Sequence, residues 1–103
     1  MIPFGTASDG GGSIRGPASW TGLVGLRSTY GRIPTFGDTH LAQNAVVGSV
    51  TTTVADTALL LDVMAGPDAR DRTCLPAPPG RYVDSLEQLD LSGLRVGWSA
   101  DLG

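Results

Sequence analysis

The sequence predicts a protein of the α/β class, because one strongly helical stretch stands among short strand-like runs. The helical stretch is residues 53–65, TVADTALLLDVMA, and it stops where Gly66 and a proline follow. A shorter helix is predicted at residues 17–22, PASWTG, since proline suits a first helical position and glycine suits the residue after the last. Strands are predicted at residues 23–26, LVGL, and 94–98, LRVGW, from their apolar or alternating pattern.

Residues 53–65 carry both a start signal and an unusual distribution of apolar side chains. Thr53 followed by Asp56 resembles a capping box with Asp in place of the usual Glu. On a helical wheel the apolar residues are not confined to one stripe, because Leu59 and Val63 lie opposite the main apolar face. A helix that is apolar nearly all round is typical of a buried helix. We therefore predict a buried helix that the rest of this chain is too short to cover on every side.

Composition and charge exclude several classes of function. The chain has 103 residues, 41% of them apolar, and a net charge of −3, which disfavours a protein that binds nucleic acid through phosphate contacts. No apolar run approaches the ~20 residues of a membrane span, and the first residues lack a secretory signal pattern. A single cysteine, Cys74, fits a reducing, cytoplasmic setting. With one histidine besides, we expect no metal and no cofactor.

The most informative stretch is SDGGGSIRG, residues 8–16, within a loop predicted over residues 5–16. Adjacent glycines let several backbone N–H groups point into one concavity, which is a nest for an anion. A hydroxyl at the rim of such a nest, here Ser13, suits acyl transfer, because the nest stabilises the oxyanion that forms when the hydroxyl attacks a carbonyl. Asp9 and Arg15 flank the loop, and we expect them to pair across it.

Other interpretations of the glycine run are weaker. A flexible linker is the simplest alternative, but the run is short and its flanks are specific. A phosphate-binding P-loop requires Lys followed by Ser or Thr after the glycines, and no such pair follows them. A dinucleotide-binding fingerprint requires a preceding strand, and no strand of useful length is predicted before the loop.

Residues 5–34, GTASDGGGSIRGPASWTGLVGLRSTYGRIP, closely resemble the core of the amidase signature family, and residues 48–71 resemble its next block, a buried helix followed by Gly-x-Asp-x-Arg-Asp. The resemblance implies a mixed, mostly parallel twisted sheet flanked by helices. It also implies hydrolysis of a small-molecule amide by a Ser–cis-Ser–Lys triad. Ser13 matches the nucleophile, and Asp9 and Arg15 match the pair that holds the loop. The backbone donors of the oxyanion hole match Gly10, Gly11, Gly12 and Ser13.

The chain departs from the family at the partners of Ser13. The resemblance places the lysine and the second serine upstream, yet only twelve residues precede Ser13, and all seven basic residues of the chain are arginines. A serine hydroxyl is a weak nucleophile without a base. We therefore expect the isolated chain to be inactive and to need a complementing N-terminal segment or subunit. The family's Lys-Pro-Thr is replaced by residues 27–29, RST, a change expected to affect packing or a turn and not the chemistry.

Several single residues allow a second interpretation. A Ser13–His40 dyad is conceivable, although a surface histidine is the simpler interpretation of His40. Cys74 is expected to be structural or incidental. Trp20 and Trp98 are expected to pack in the core or at its rim, and Trp20 has the alternative of lining a substrate pocket near Ser13. Two non-catalytic functions also stay open: a binding or regulatory module that uses the nest of Gly10 to Ser13, and a degenerate remnant.

Overall fold

The computed structural model describes residues 2–36 and 44–101, and the strands in these ranges form a three-stranded antiparallel sheet of order β1-β3-β2. Three helices accompany the sheet, α1 before β2, α2 directly after β3, and α3 near the end of the chain. The elements in chain order are β1 (Phe4–Asp9), α1 (Arg15–Thr21), β2 (Val24–Arg27), β3 (Val46–Thr51), α2 (Val54–Met64) and α3 (Tyr82–Glu87).

Helices α1 and α2 pack on opposite faces of the sheet. In the pairing of β3 with its neighbours, Val46 lies opposite Asp9 and Gly48 lies opposite Arg27, so these residues share one face. That face receives α1. The other face receives α2, since the hydroxyls of Thr51 on β3 and Thr57 on α2 share a 2.6 Å hydrogen bond. The α/β class is thus confirmed, with antiparallel pairs in this part of the sheet.

Small residues on the sheet allow α1 and the residue before it to approach closely. Ile14 is fully buried and Ala18 is 3% exposed. A Cβ added to Gly25 on β2 would lie 2.6 Å from the Ala18 Cβ, and one added to Gly48 on β3 would lie 2.8 Å from Ile14 Cδ1 and would clash with the Leu26 carbonyl oxygen. The glycines of the sheet therefore fix how near α1 lies to it.

The predicted capping of α2 is confirmed. The Asp56 N–H donates to Thr53 Oγ1 at 3.1 Å, and Thr53 Oγ1 lies 2.7 Å from Asp56 Oδ2. Burial is less complete than predicted, because Thr57 and Ala58 are the buried residues of the helix. Leu59 is 47% exposed and Val63 is 76% exposed, which confirms that this part of the chain leaves one apolar side of α2 uncovered.

Four predictions about elements were wrong or incomplete. Residues 5–9 belong to β1 rather than to the loop, and β3 was not predicted because its central Gly48 interrupts the apolar pattern. Residues 94–98 form no strand and are exposed, since no described strand lies beside them. Helix α3 was not predicted either, and it covers Tyr82–Glu87. In the described ranges no helix has the length and apolarity needed to cross a bilayer.

We expect Gly48→Ala to lower the free energy of unfolding by about 1–3 kcal/mol or more, because the new methyl group must displace Ile14 and the Leu26 carbonyl. Urea denaturation followed by circular dichroism measures the change. Gly80→Ala is the matched control, since no atom lies within 4 Å of its added Cβ, and we expect a change below about 0.5 kcal/mol. Equal stability of the two variants would contradict the packing described for α1.

Candidate active site

The glycine-rich loop that carries Ser13, the predicted nucleophile, is organised around the carboxylate of Asp9, the last residue of β1. This side chain is fully buried. Its Oδ1 accepts the N–H of Gly12 at 2.6 Å, and its Oδ2 accepts those of Ile14 at 3.2 Å and Arg15 at 3.3 Å. Three backbone donors from both sides of Ser13 thus converge on one side chain, and the loop curls around it.

Two guanidinium groups face this buried carboxylate. Arg15 forms a two-point contact, with Nε 3.0 Å from Oδ2 and Nη2 3.1 Å from Oδ1, as the sequence predicted. Arg27 approaches from β2, with its Nε 3.9 Å from Oδ1. The Arg15 guanidinium and the three backbone N–H groups outweigh the effect of burial and hold the pKa of Asp9 well below its usual range. The same contact raises the pKa of Arg15.

The loop passes directly into α1 at Gly12. Gly12 has φ +123°, a conformation that side-chain-bearing residues rarely adopt, so glycine is required there. Its carbonyl accepts the Gly16 N–H at 2.8 Å, which starts the helical hydrogen-bond pattern. Ser13 is exposed at this first turn. Within residues 2–36 and 44–101, the N–H groups of Gly11 and Ser13 have no protein acceptor.

The remaining candidate residues are dispersed. Trp20, near the end of α1, is 85% exposed, and Trp98 is 86% exposed. The prediction that both pack in the core or at its rim is therefore wrong for the residues that the structure describes. Cys74 is a half-buried free thiol, and His40 lies outside the described residues. No three His, Cys, Asp or Glu side chains in the described ranges gather as a metal site.

Comparison with known proteins decides the family. The family model described as Amidase matches residues 1–103, the whole chain. This chain belongs to the amidase signature family. The fold agrees, since a bacterial aryl acylamidase of the amidase signature family superposes with a TM-score of 0.75 at 35% identity, over 82% of this chain and 18% of that one.

Further relatives belong to a multi-subunit enzyme by name. The A subunit of the glutamyl-tRNA(Gln) amidotransferase of Prochlorococcus marinus is 48% identical over 91 residues, which are 87% of this chain and 18% of that protein. The crystal structure of the corresponding protein from Thermotoga maritima superposes with a TM-score of 0.69 at 37% identity, over 76% of this chain and 18% of that one. The chain therefore spans about a fifth of the length of these relatives.

The end of residues 48–71, the second block that resembles the family pattern, contacts the segment that follows β2. Asp71, 9% exposed, accepts the Thr35 N–H at 2.8 Å and the Thr73 N–H at 2.8 Å. Arg70 stacks on Phe36 with 4.0 Å between the guanidinium carbon and the ring centroid. The motif was recognised in the sequence, but its contact partner was not, because nothing in the spacing links residue 71 to residue 35.

We expect Asp9→Asn to lower stability at pH 7, because the variant leaves Arg15 without its carboxylate. A carboxyl whose pKa is depressed by folding stabilises the protein above its ordinary pKa, about 3.9, and this contribution is lost as the pH falls below that value. The stability of the unsubstituted chain should thus fall on acidification, and that of Asp9→Asn should fall less steeply. Urea denaturation between pH 7 and pH 3 measures both.

Asp68→Asn is the control for this prediction, because Arg70 also lowers the pKa of Asp68, to about 2, but in a surface pair that is 67% exposed at Arg70 and 25% at Asp68 and includes no residue of the loop. Exposed pairs contribute little to stability, so this variant should match the unsubstituted chain at pH 7. If the free energy of unfolding of Asp9→Asn equals that of the unsubstituted chain both at pH 7 and at acidic pH, the central role of Asp9 is refuted.

Proposed function

We propose that this chain carries the nucleophile and the oxyanion-binding loop of an amidase that cleaves the C–N bond of a carboxamide. The observation that supports this most strongly is the exposed Ser13 beside backbone N–H groups that find no acceptor among the described residues, on a loop held by a buried carboxylate. Both requirements of acyl transfer, a hydroxyl and fixed donors for the oxyanion, meet at this one turn.

In the proposed reaction the Ser13 oxygen attacks the carbonyl carbon of the amide. Its proton passes to a base, and the carbonyl oxygen becomes an oxyanion held by the loop. The C–N bond breaks as the nitrogen receives a proton, which leaves an ester on Ser13 and a free amine. Water then hydrolyses the ester and releases the carboxylic acid and the serine hydroxyl.

The set of oxyanion donors that we propose is smaller than the set that the family resemblance implies. The Gly12 N–H donates to Asp9 Oδ1 at 2.6 Å, so it is already engaged. We therefore assign the oxyanion to Gly10, Gly11 and Ser13, and we give Gly12 the role of shaping the turn through its positive φ. Each donor in such a site contributes about 10²–10³ to the rate.

The base and second serine of the triad are proposed to come from polypeptide outside these residues. The chain contains no lysine. The exposed Leu59 and Val63 on α2 support an additional covering segment or subunit, since apolar side chains grouped on one side of a helix favour a packing partner. The substrate class is a small carboxamide; the aryl acylamidase relative favours aryl amides among these. The isolated chain is expected to hydrolyse neither aryl nor aliphatic amides.

A chimera tests this proposal. Residues 1–103 replace the corresponding segment of the aryl acylamidase, whose own remaining chain supplies the other groups. We expect the chimera to hydrolyse an aryl amide and Ser13→Ala to lower kcat by about 10⁴-fold or more, because the nucleophile is lost. Ser19→Ala, at an exposed serine of α1 beyond the loop, is the control and should stay within about twofold. An active chimera that is indifferent to Ser13→Ala would disprove the assignment.

A non-catalytic function is the second candidate, and the N–H groups of Gly11 and Ser13 favour it specifically. Such a nest binds a carboxylate without any base. We expect acetate and benzoate to shift the amide resonances of Gly11 and Ser13 in the isolated chain, with millimolar affinity. Gly12→Ala should abolish the shifts, because alanine rarely adopts φ +123°, whereas Gly80→Ala should retain them. Resonances that stay unchanged at about 50 mM ligand, well above the expected dissociation constant, would exclude this function.

A further inference from the structure

Arg27 stands where the ends of all three strands meet. It is the last residue of β2, and its side chain is 31% exposed. Its Nε lies 3.9 Å from Asp9 Oδ1 at the end of β1, and its Nη2 donates to the Asn44 carbonyl at 2.6 Å, two residues before β3. One guanidinium therefore spans the sheet edge from which the nucleophile loop departs.

Arg15 does not connect the Asp9 side chain to a neighbouring strand, as Arg27 does. Arg15 is the first residue of α1 and follows Asp9 by only six residues, so it moves with the loop whose shape is in question. Its side chain is also 57% exposed. Arg27 approaches from β2, an element that pairs with β3 over four positions and is independent of the loop.

The charges at this edge do not cancel. The groups facing the Asp9 carboxylate are the Arg15 guanidinium from the start of α1 and the Arg27 guanidinium from β2. Among the residues that the structure describes, one negative and two positive charges meet at this edge, an excess of one positive charge. A carboxylate this near would by itself repel an anion bound at Gly11 and Ser13; Arg15 balances that charge, and Arg27 adds a positive charge that attracts the anion.

We propose that Arg27 is a positioning residue of the nucleophile loop: it holds the Asp9 side chain against β2, and so keeps the Gly12 turn in place, and it makes the cluster of Asp9, Arg15 and Arg27 net positive near the bound oxyanion. This inference rests on the proposed function for its catalytic meaning. It also revises the expectation that the RST variation at residues 27–29 affects packing or a turn and not the chemistry. Arginine suits the place because separate nitrogens of its fork reach Asp9 and Asn44 at once.

The test uses nuclear magnetic resonance on the full 103-residue chain and three variants. Arg27→Gln removes the charge, Arg27→Lys keeps it, and Arg95→Gln is the control at an exposed arginine near the end of the chain. The first measurement is the hydrogen exchange rate of the Gly12 amide, which reports its bond to Asp9. The second is the affinity for acetate at the Gly11 and Ser13 amides. Neither requires amide hydrolysis.

We expect Arg27→Gln to speed Gly12 exchange about fivefold and to weaken acetate binding by a similar factor, as for the loss of one partly exposed charge pair. Arg27→Lys should stay within about twofold of the unsubstituted chain in acetate affinity, because the charge is kept, but its Gly12 exchange should lie between those of the unsubstituted chain and Arg27→Gln, because one ammonium cannot reach Asp9 and Asn44 at once. Arg95→Gln should change neither. If Arg27 served only the packing of the sheet edge, Arg27→Lys would lose acetate affinity as Arg27→Gln does. Unchanged Gly12 exchange in Arg27→Gln would overturn the proposal.

The unsubstituted chain supplies a measurement that does not depend on how the variants fold. The Arg27 Nε–H should exchange with solvent several-fold more slowly than the Arg95 Nε–H, because it faces a buried carboxylate. Equal exchange at the two arginines would also overturn the proposal. Failure here leaves the chimera result untouched, and an inactive chimera leaves these exchange rates untouched, so the two proposals fail separately.

Discussion

The loop of this chain depends on one buried carboxylate. Asp9 is fully buried and accepts three backbone N–H groups and the fork of Arg15. A buried charge is tolerated when it is paired and hydrogen-bonded, and the cost of leaving it unsatisfied is what makes the arrangement specific. The glycines do not define the loop by themselves, since free glycines are flexible. The carboxylate selects one conformation from the many that they allow.

The packing under the loop supports the same conformation from below. Ile14, whose N–H bonds to Asp9 Oδ2, is fully buried between α1 and the sheet. It fits because Gly25 and Gly48 carry no side chain at that point. Ile14, the residue after Ser13, is therefore fixed by a hydrogen bond on its backbone and by close packing on its side chain. Ser13 lies between this anchor and Gly12, so the place of its Cα is determined from both sides.

The sequence was sufficient for the local features and insufficient for the distant ones. The capping of α2 by Thr53 and the pairing of Asp9 with Arg15 were predicted, because each involves residues three to six positions apart. β3 was missed because Gly48, which weakens the strand pattern, is there for the sake of Ile14, a contact no local pattern encodes. The contact of Arg27 with Asp9 was missed for the same reason, since eighteen positions separate them.

The wrong strand at residues 94–98 shows the opposite error. Its alternating pattern is a real strand signal, but a strand exists only beside another strand, and the described residues provide none there. The exposed apolar side of α2 is a similar case: its apolar side chains favour a packing partner, and residues 2–36 and 44–101 do not provide one. The loop differs from both, because its contacts all lie between residues 9 and 48. The conformation of this loop, and with it the N–H groups that we propose as oxyanion donors, can therefore be fixed by these residues without the proposed base.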